Sequence, residues 1–178
     1  MSSLRTAALG PWAEADPVLK AQATLALDLH APVRAQEQLQ APCPLPGRPA
    51  KPALLPHTHI KAKSLTTPEG RAILLHSITH IELNAIDLAL DVVWRFAGMP
   101  DAFYNDWVRI AQEEAKHFLL LRNHLVGMGF DYGDFPAHNA LWDMAERTQG
   151  DVGQRCGAVA GRADCSVVPW TRNRANPA

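Results

Sequence analysis

The sequence predicts an all-α fold built on a long antiparallel helical hairpin, with shorter helices beside it. Three observations lead there. Residues 67–97 carry helical periodicity with no internal breaker, a second such segment starts at Pro100-Asp101 after a three-residue connection, and no strand-like alternation appears in the core region.

The first long helix opens on Thr67-Pro68-Glu69, which supplies a cap, a proline at the first helical position and an acid in the first turn. Gly70 is a minor cost, and Gly98 is a good terminator. About 30 residues at 1.5 Å each give a rod of roughly 45 Å. The second helix runs to about Val126 and is closed by Gly127 and Gly129. The connection Gly98-Met99-Pro100 is too short for anything but antiparallel packing. A third helix is expected from Pro136 or Ala137 to about Gln149, after the turn residues Asp131-Tyr132-Gly133-Asp134.

Earlier in the chain, Asp16-Pro17 caps a short helix over 16–30. Pro42, Pro44, Pro46, Pro49, Pro52 and Pro56 then rule out a helix or central strand, so 31–66 reads as an extended surface connector. The organisation is therefore an N-terminal helical segment (1–30), a connector (31–66), a helical core (67–150) and a Gly/Arg/Cys-rich tail (151–178) expected to be poorly ordered.

With 17 Lys+Arg against 18 Asp+Glu, charge makes no case for a nucleic-acid or membrane-surface partner. No apolar run approaches the roughly 20 residues of a bilayer span. The start does not read as a signal peptide, so a cytoplasmic location is expected. Cys43, Cys156 and Cys165 lack metal or disulfide spacing and read as free thiols. The tail glycines neither follow a strand nor open a helix, which fails the context test for nucleotide binding.

The chemistry centres on Glu114-Ala-Lys-His117. A carboxylate and an imidazole at i and i+3 share one helix face, which is half of the ligand set with which helix bundles hold paired metals. Glu114 shares its face with Trp107, Ile110, Ala111, Phe118 and Leu121. Glu82 shares one with Leu75, Ile78, Ala85, Ile86, Ala89 and Val93. Both glutamates are thus expected to be buried, where a carboxylate needs a partner or a metal. On spacing alone, metal binding and a buried Glu–His pair remain alternatives. Glu113 lies with Asp106, Arg109 and Lys116 and reads as a solvated ion-pair residue. His76 and His80 begin a polar row continued by Asn84, Asp87 and Asp91. Zinc can be held at that spacing, but the row reads as a solvated or interhelical hydrogen-bonding face. His80 and Asp87 remain weaker candidates, suited to orienting a ligand. His124 and His138 carry no functional signal by themselves.

Several runs taken together are similar to a known family. They are Gly47-Arg48-Pro49-Ala50, Thr67-Pro68-Glu69-Gly70-Arg71-Ala72, the stretch His80-Ile81-Glu82-Leu83-Asn84 through Ala89, Phe103-Tyr104-Asn105-Asp106-Trp107, Glu113-Glu114-Ala115-Lys116-His117-Phe118, and Tyr132-Gly133-Asp134-Phe135-Pro136-Ala137-His138. The chain resembles the bacterial DUF455 family of ferritin-like proteins to about residue 150. The resemblance implies a ferritin-like helical bundle with a carboxylate-bridged pair of iron or manganese ions. Glu82 would be the ligand from the first helix, and Glu114 and His117 those from the second. A bacterial tRNA hydroxylase in the ferritin-like group makes oxygen-dependent hydroxylation the analogy for function.

The family pattern continues with another Glu and another Glu-x-x-His, which this chain does not contain. The bundle is therefore expected to be incomplete here, through a frameshift or a premature end. Three functions stay open: a non-haem dimetal oxidase or oxygenase of unknown substrate, a non-catalytic metal-binding module, and an inactive truncated bundle. In a homodimer, two hairpins would together offer four Glu and two His. The expected result of translating the other two frames of the downstream DNA is a restored Glu-x-x-His helix; its absence from both would refute the frameshift.

Overall fold

The computed structural model describes residues 2–41, 43–56, 59 and 63–155. Among them the chain is all-α, with five helices and no strand: α1 Leu4–Ala13, α2 Pro17–Leu25, α3 Pro68–Arg95, α4 Asp101–Gly127 and α5 Ala140–Arg147. α3 and α4 are the expected hairpin, with bounds close to those the caps predict. Thr67 Oγ1 accepts from the Gly70 N–H at 3.0 Å, as an N-cap should. Gly70 itself is required, because a Cβ there would meet the Ser64 carbonyl oxygen at 2.0 Å.

The turn of the hairpin is locked by one side chain. Tyr104 donates its hydroxyl hydrogen to the Phe96 carbonyl (2.7 Å) and accepts from the Met99 N–H (3.0 Å). Gly98 stands at φ +78°, a left-handed conformation suited to glycine. Its N–H donates to the Ala35 carbonyl at 2.8 Å.

Sequence reading passed over α1, whose Gly10 and Pro11 obscure it. The retrospective signals are the Ser3 cap and the i, i+4, i+8 spacing of the buried Leu4, Ala8 and Trp12. α1 also supplies Arg5, which is fully buried. Its guanidinium donates to the carbonyls of Val93 (3.0 Å) and Trp94 (2.9 Å) at the end of α3, and to those of Ala35 and Glu37 in the connector. A cation is favoured at a helix C-terminus, where the last carbonyls lack helical partners. Trp12 packs on Trp94 with ring centroids 5.2 Å apart.

The expected helix over 16–30 is shorter, ending at Leu25. Gln112 of α4 donates to the Leu27 carbonyl just beyond it, at 2.9 Å. The helix expected from 136 or 137 begins only at Ala140, because Ala137 instead pairs with the connector. The Ala137 N–H donates to Ala53 and the Leu55 N–H to Ala137, in an isolated parallel bridge. The connector is thus tied to the core at both ends. The tail boundary also moves: residues 152–155 form a helical turn, and Arg155 is buried against Asp91 at 2.8 Å. Residues 156–178, with Cys156 and Cys165, lie outside the described residues, and Cys43 is an exposed free thiol.

One expectation narrows to one of its two alternatives. The polar row of α3, read as solvated or as an interhelical hydrogen-bonding face, is buried at His76, His80, Asn84, Asp87 and Asp91. Only the hydrogen-bonding alternative survives. The segment after α4 covers its histidines, and α2 and Arg155 reach its aspartates, so each charge on it has acquired a partner. Asp87 is bonded to the Lys20 ammonium of α2, and Asp91 to Arg95 (2.6 Å) and Arg155. By length and composition α3 resembles a membrane span more than sequence reading allowed, yet most of it is interior and holds these charges.

Removing one partner of a buried pair strands the other charge at a cost of about 3–5 kcal/mol, whereas replacing both with apolar groups is often neutral. Lys20→Met should therefore lower the unfolding free energy in urea by that amount. Adding Asp87→Leu should restore more than half of it. A cost below about 1 kcal/mol for Lys20→Met would contradict the pairing.

Candidate metal centre

Glu82 stands in the middle of α3, and Glu114 and His117 one turn apart on α4. Antiparallel packing sets them side by side. One ligand atom from each lies within 4.8 Å of the other two. His117 Nδ1 is 3.4 Å from a Glu114 carboxylate oxygen and 3.7 Å from one of Glu82. Neighbouring ligands on a metal with bonds near 2.1 Å lie about 3–3.5 Å apart, so small side-chain adjustments close the set. Two carboxylate oxygens and one imidazole nitrogen suit iron or manganese.

The cluster differs from expectation in depth. The Glu82 and Glu114 side chains are 18% and 20% exposed, and that of His117 is 57% exposed. The apolar stripe around Glu82 is buried at Ile86, Ala89 and Val93, but Ile78 is exposed and Leu75 half-buried. The physical cause is the layering of the fold. Packing from the N-terminal segment lands on the polar side of α3, and the Glu82 side is left at the margin of the hairpin. Glu113 is exposed, as its charged neighbours suggest, and His124 is exposed too.

His80 and Asp87 are drawn to the other side of α3, 200° and 140° around the helix from Glu82. The His80 ring bridges the Tyr132 hydroxyl (2.7 Å) and the His138 carbonyl (3.1 Å). Nε2 also lies 3.0 Å from the Asn84 amide nitrogen, so it faces both a carbonyl that only accepts and an amide that only donates. Burial pushes the imidazole down to about 4, against the opposing hydrogen bond to the His138 carbonyl. Burial likewise lowers His76, whose Nε2 accepts from the Gly133 N–H at 2.9 Å and whose ring stacks on Tyr132. Burial also raises the Tyr132 phenol. Sequence reading missed Lys20, Arg48 and Tyr132 as members of this second polar group. Its sole signal was that Arg48 and Tyr132 fall in the runs carrying the family resemblance.

An all-α hairpin presenting two glutamates and a histidine at its open margin defines a candidate metal-binding helical protein. Residues 13–162 match the family described as protein of unknown function (DUF455), and the chain belongs to that family. It is similar to an uncharacterized protein of Haemophilus influenzae, with 45% identity over 118 residues covering 62% of this chain and 41% of that protein. The chain thus spans about two fifths of the length of this curated relative. No solved structure matches it.

The buried histidines make stability pH-dependent in the metal-free protein. His80 is depressed in the fold, so the unfolded chain takes up its proton first, as pH falls through 6.5. Stability should fall from there until pH about 4, where the folded state protonates as well. The His80 contribution is about 3 kcal/mol. Urea unfolding from pH 7.5 to 4, with His80→Gln as control, should show the slope reduced in the variant.

Proposed function

We propose that this chain contributes half of a ferritin-like dimetal-carboxylate centre, with Glu82, Glu114 and His117 as ligands to iron or manganese. The observation that carries this reading is the convergence of all three donors, from two helices, within 4.8 Å. Two carboxylates and one imidazole are too few for two metals, so the remaining ligands come from outside this hairpin. A second copy supplies them in a symmetric dimer, in which the facing clusters sum to four Glu and two His. The open margin suits such a neighbour. Ile78 one turn before Glu82 and Leu120 beside His117 are exposed apolar side chains at 36% and 67%, a surface that association would cover.

The role that best suits this donor set is a non-haem oxidase or oxygenase. Bound iron or manganese supplies Lewis acidity and redox exchange with dioxygen. The protein's own part is to hold two carboxylates and one imidazole on rigid helices. His117 lies between the two glutamates, and its exposed ring leaves the approach to the cluster open. That same exposure favours a second reading, a metal-binding module without catalysis, because oxygen chemistry profits from a water-excluded site.

The test is metal content and solution mass of the purified chain after anaerobic loading with Fe(II) or Mn(II). The expected result is about one metal per chain in a dimer, with affinity at least tenfold lower in Glu114→Ala and His117→Ala. A monomer that takes up neither metal, or variants that bind like the wild type, would overturn the proposal. Catalysis and storage then separate by whether the loaded protein consumes dioxygen in more than one turnover.

A further inference from the structure

The side of α3 away from Glu82 encloses a second site of different chemistry. A chamber of about 40 Å³ lies between the connector and α3, with Tyr132 among its walls. Its apolar wall is Pro49, Pro52, Leu54 and Leu83; its polar wall is His80, Asn84, Asp87, Tyr132 and the mouth residue Arg48. His80, Asn84 and Asp87 are 4–6% exposed, so these groups form a built interior rather than a surface cluster.

Size and charge decide what such a chamber takes. One water needs about 10–15 Å³ by this measure, so the space holds roughly three waters or a head group of three to four heavy atoms. Lys20 and Asp87 are bonded to one another and cancel. Among the described lining residues the charge left over is that of Arg48, so these walls carry a net positive charge. Arg48 is anchored at the mouth by a 3.0 Å hydrogen bond to Asn139 and by stacking over Trp142, its guanidinium carbon 5.1 Å from the ring centroid. That bond uses one of five N–H groups in a rigid fork. A cation would meet two positive groups against one carboxylate. Inorganic phosphate, with five heavy atoms and up to two charges, exceeds both the space and the single uncompensated charge.

We propose that this chamber binds the carboxylate group of a small organic acid, with Arg48 as its charge partner and the proline-lined wall against its carbon end. A guanidinium fork matches a planar carboxylate with two parallel hydrogen bonds. The proposal does not rest on the metal reading, since no residue of the Glu82, Glu114 and His117 cluster lines the chamber.

The probe is ¹³C-acetate, titrated by NMR into metal-free full-length protein at constant ionic strength set with chloride. Saturable acetate binding is expected, at least tenfold tighter than that of the bulkier pivalate and at least tenfold weaker in Arg48→Gln. Because Arg48 also contacts Asn139 and Trp142, the fold of Arg48→Gln is checked by its urea midpoint, and the acetate–pivalate comparison needs no variant. Glu114→Ala should bind acetate as the wild type does, which separates failure here from failure of the metal proposal. Acetate binding no tighter than chloride, unchanged in Arg48→Gln, or weaker than that of inorganic phosphate would overturn the assignment.

Discussion

The buried polar side of α3 is the constraint on which the rest of this structure depends. An ionised carboxylate taken out of water loses several kcal/mol of solvation, so Asp87 and Asp91 can stay inside only with charged partners. Two of those partners come from distant parts of the chain, Lys20 from α2 and Arg155 from beyond α5, and each brings its segment to the hairpin; Arg95 stands one helical turn from Asp91 in α3 itself. Arg5 does the same at the C-terminus of α3, where one guanidinium ties α1, the connector and the helix end together.

Committing one side of α3 to these partners decides what happens on the other. The segment after α4 covers the histidines of the polar row, and α2 and Arg155 reach its aspartates. Glu82 is left at the margin beside Glu114 and His117. The hairpin therefore carries two polar groups of opposite character. One is acidic, partly open and composed of metal-type donors. The other is a half-open pocket walled by His80, Tyr132, Arg48 and the Asp87 that pairs with Lys20. A rigid helix separates them, which lets each be altered without dismantling the other.

Much of the local structure was legible. Thr67-Pro68, Asp16-Pro17 and Gly98 act at the helix ends as their backbone chemistry requires, because caps depend on a few neighbouring residues. Glu82, Glu114 and His117 could be named because i, i+3 spacing and antiparallel pairing are helical geometry. α1 went unread because Gly10 and Pro11 mask a short apolar spacing. The start of α5 was misplaced because Ala137 takes its hydrogen bonds from the connector, a contact of long sequence separation.

What the sequence determined by itself was the all-α class, the long hairpin and the identity of the three clustered donors. Those follow from propensity, capping and periodicity, all local properties. Only tertiary structure decided that the polar row would join the apolar stripe in the interior, so that α3 is buried on every side from Ile86 to Val93. An apolar stripe and a polar row compete for burial, and periodicity alone favours the stripe. The outcome turned on Lys20, Arg5 and Arg155, whose charges compensate or cap groups far away in the chain. No local pattern records that such partners will arrive, so the depth of Glu82 and the enclosure of His80 appeared only in the folded molecule.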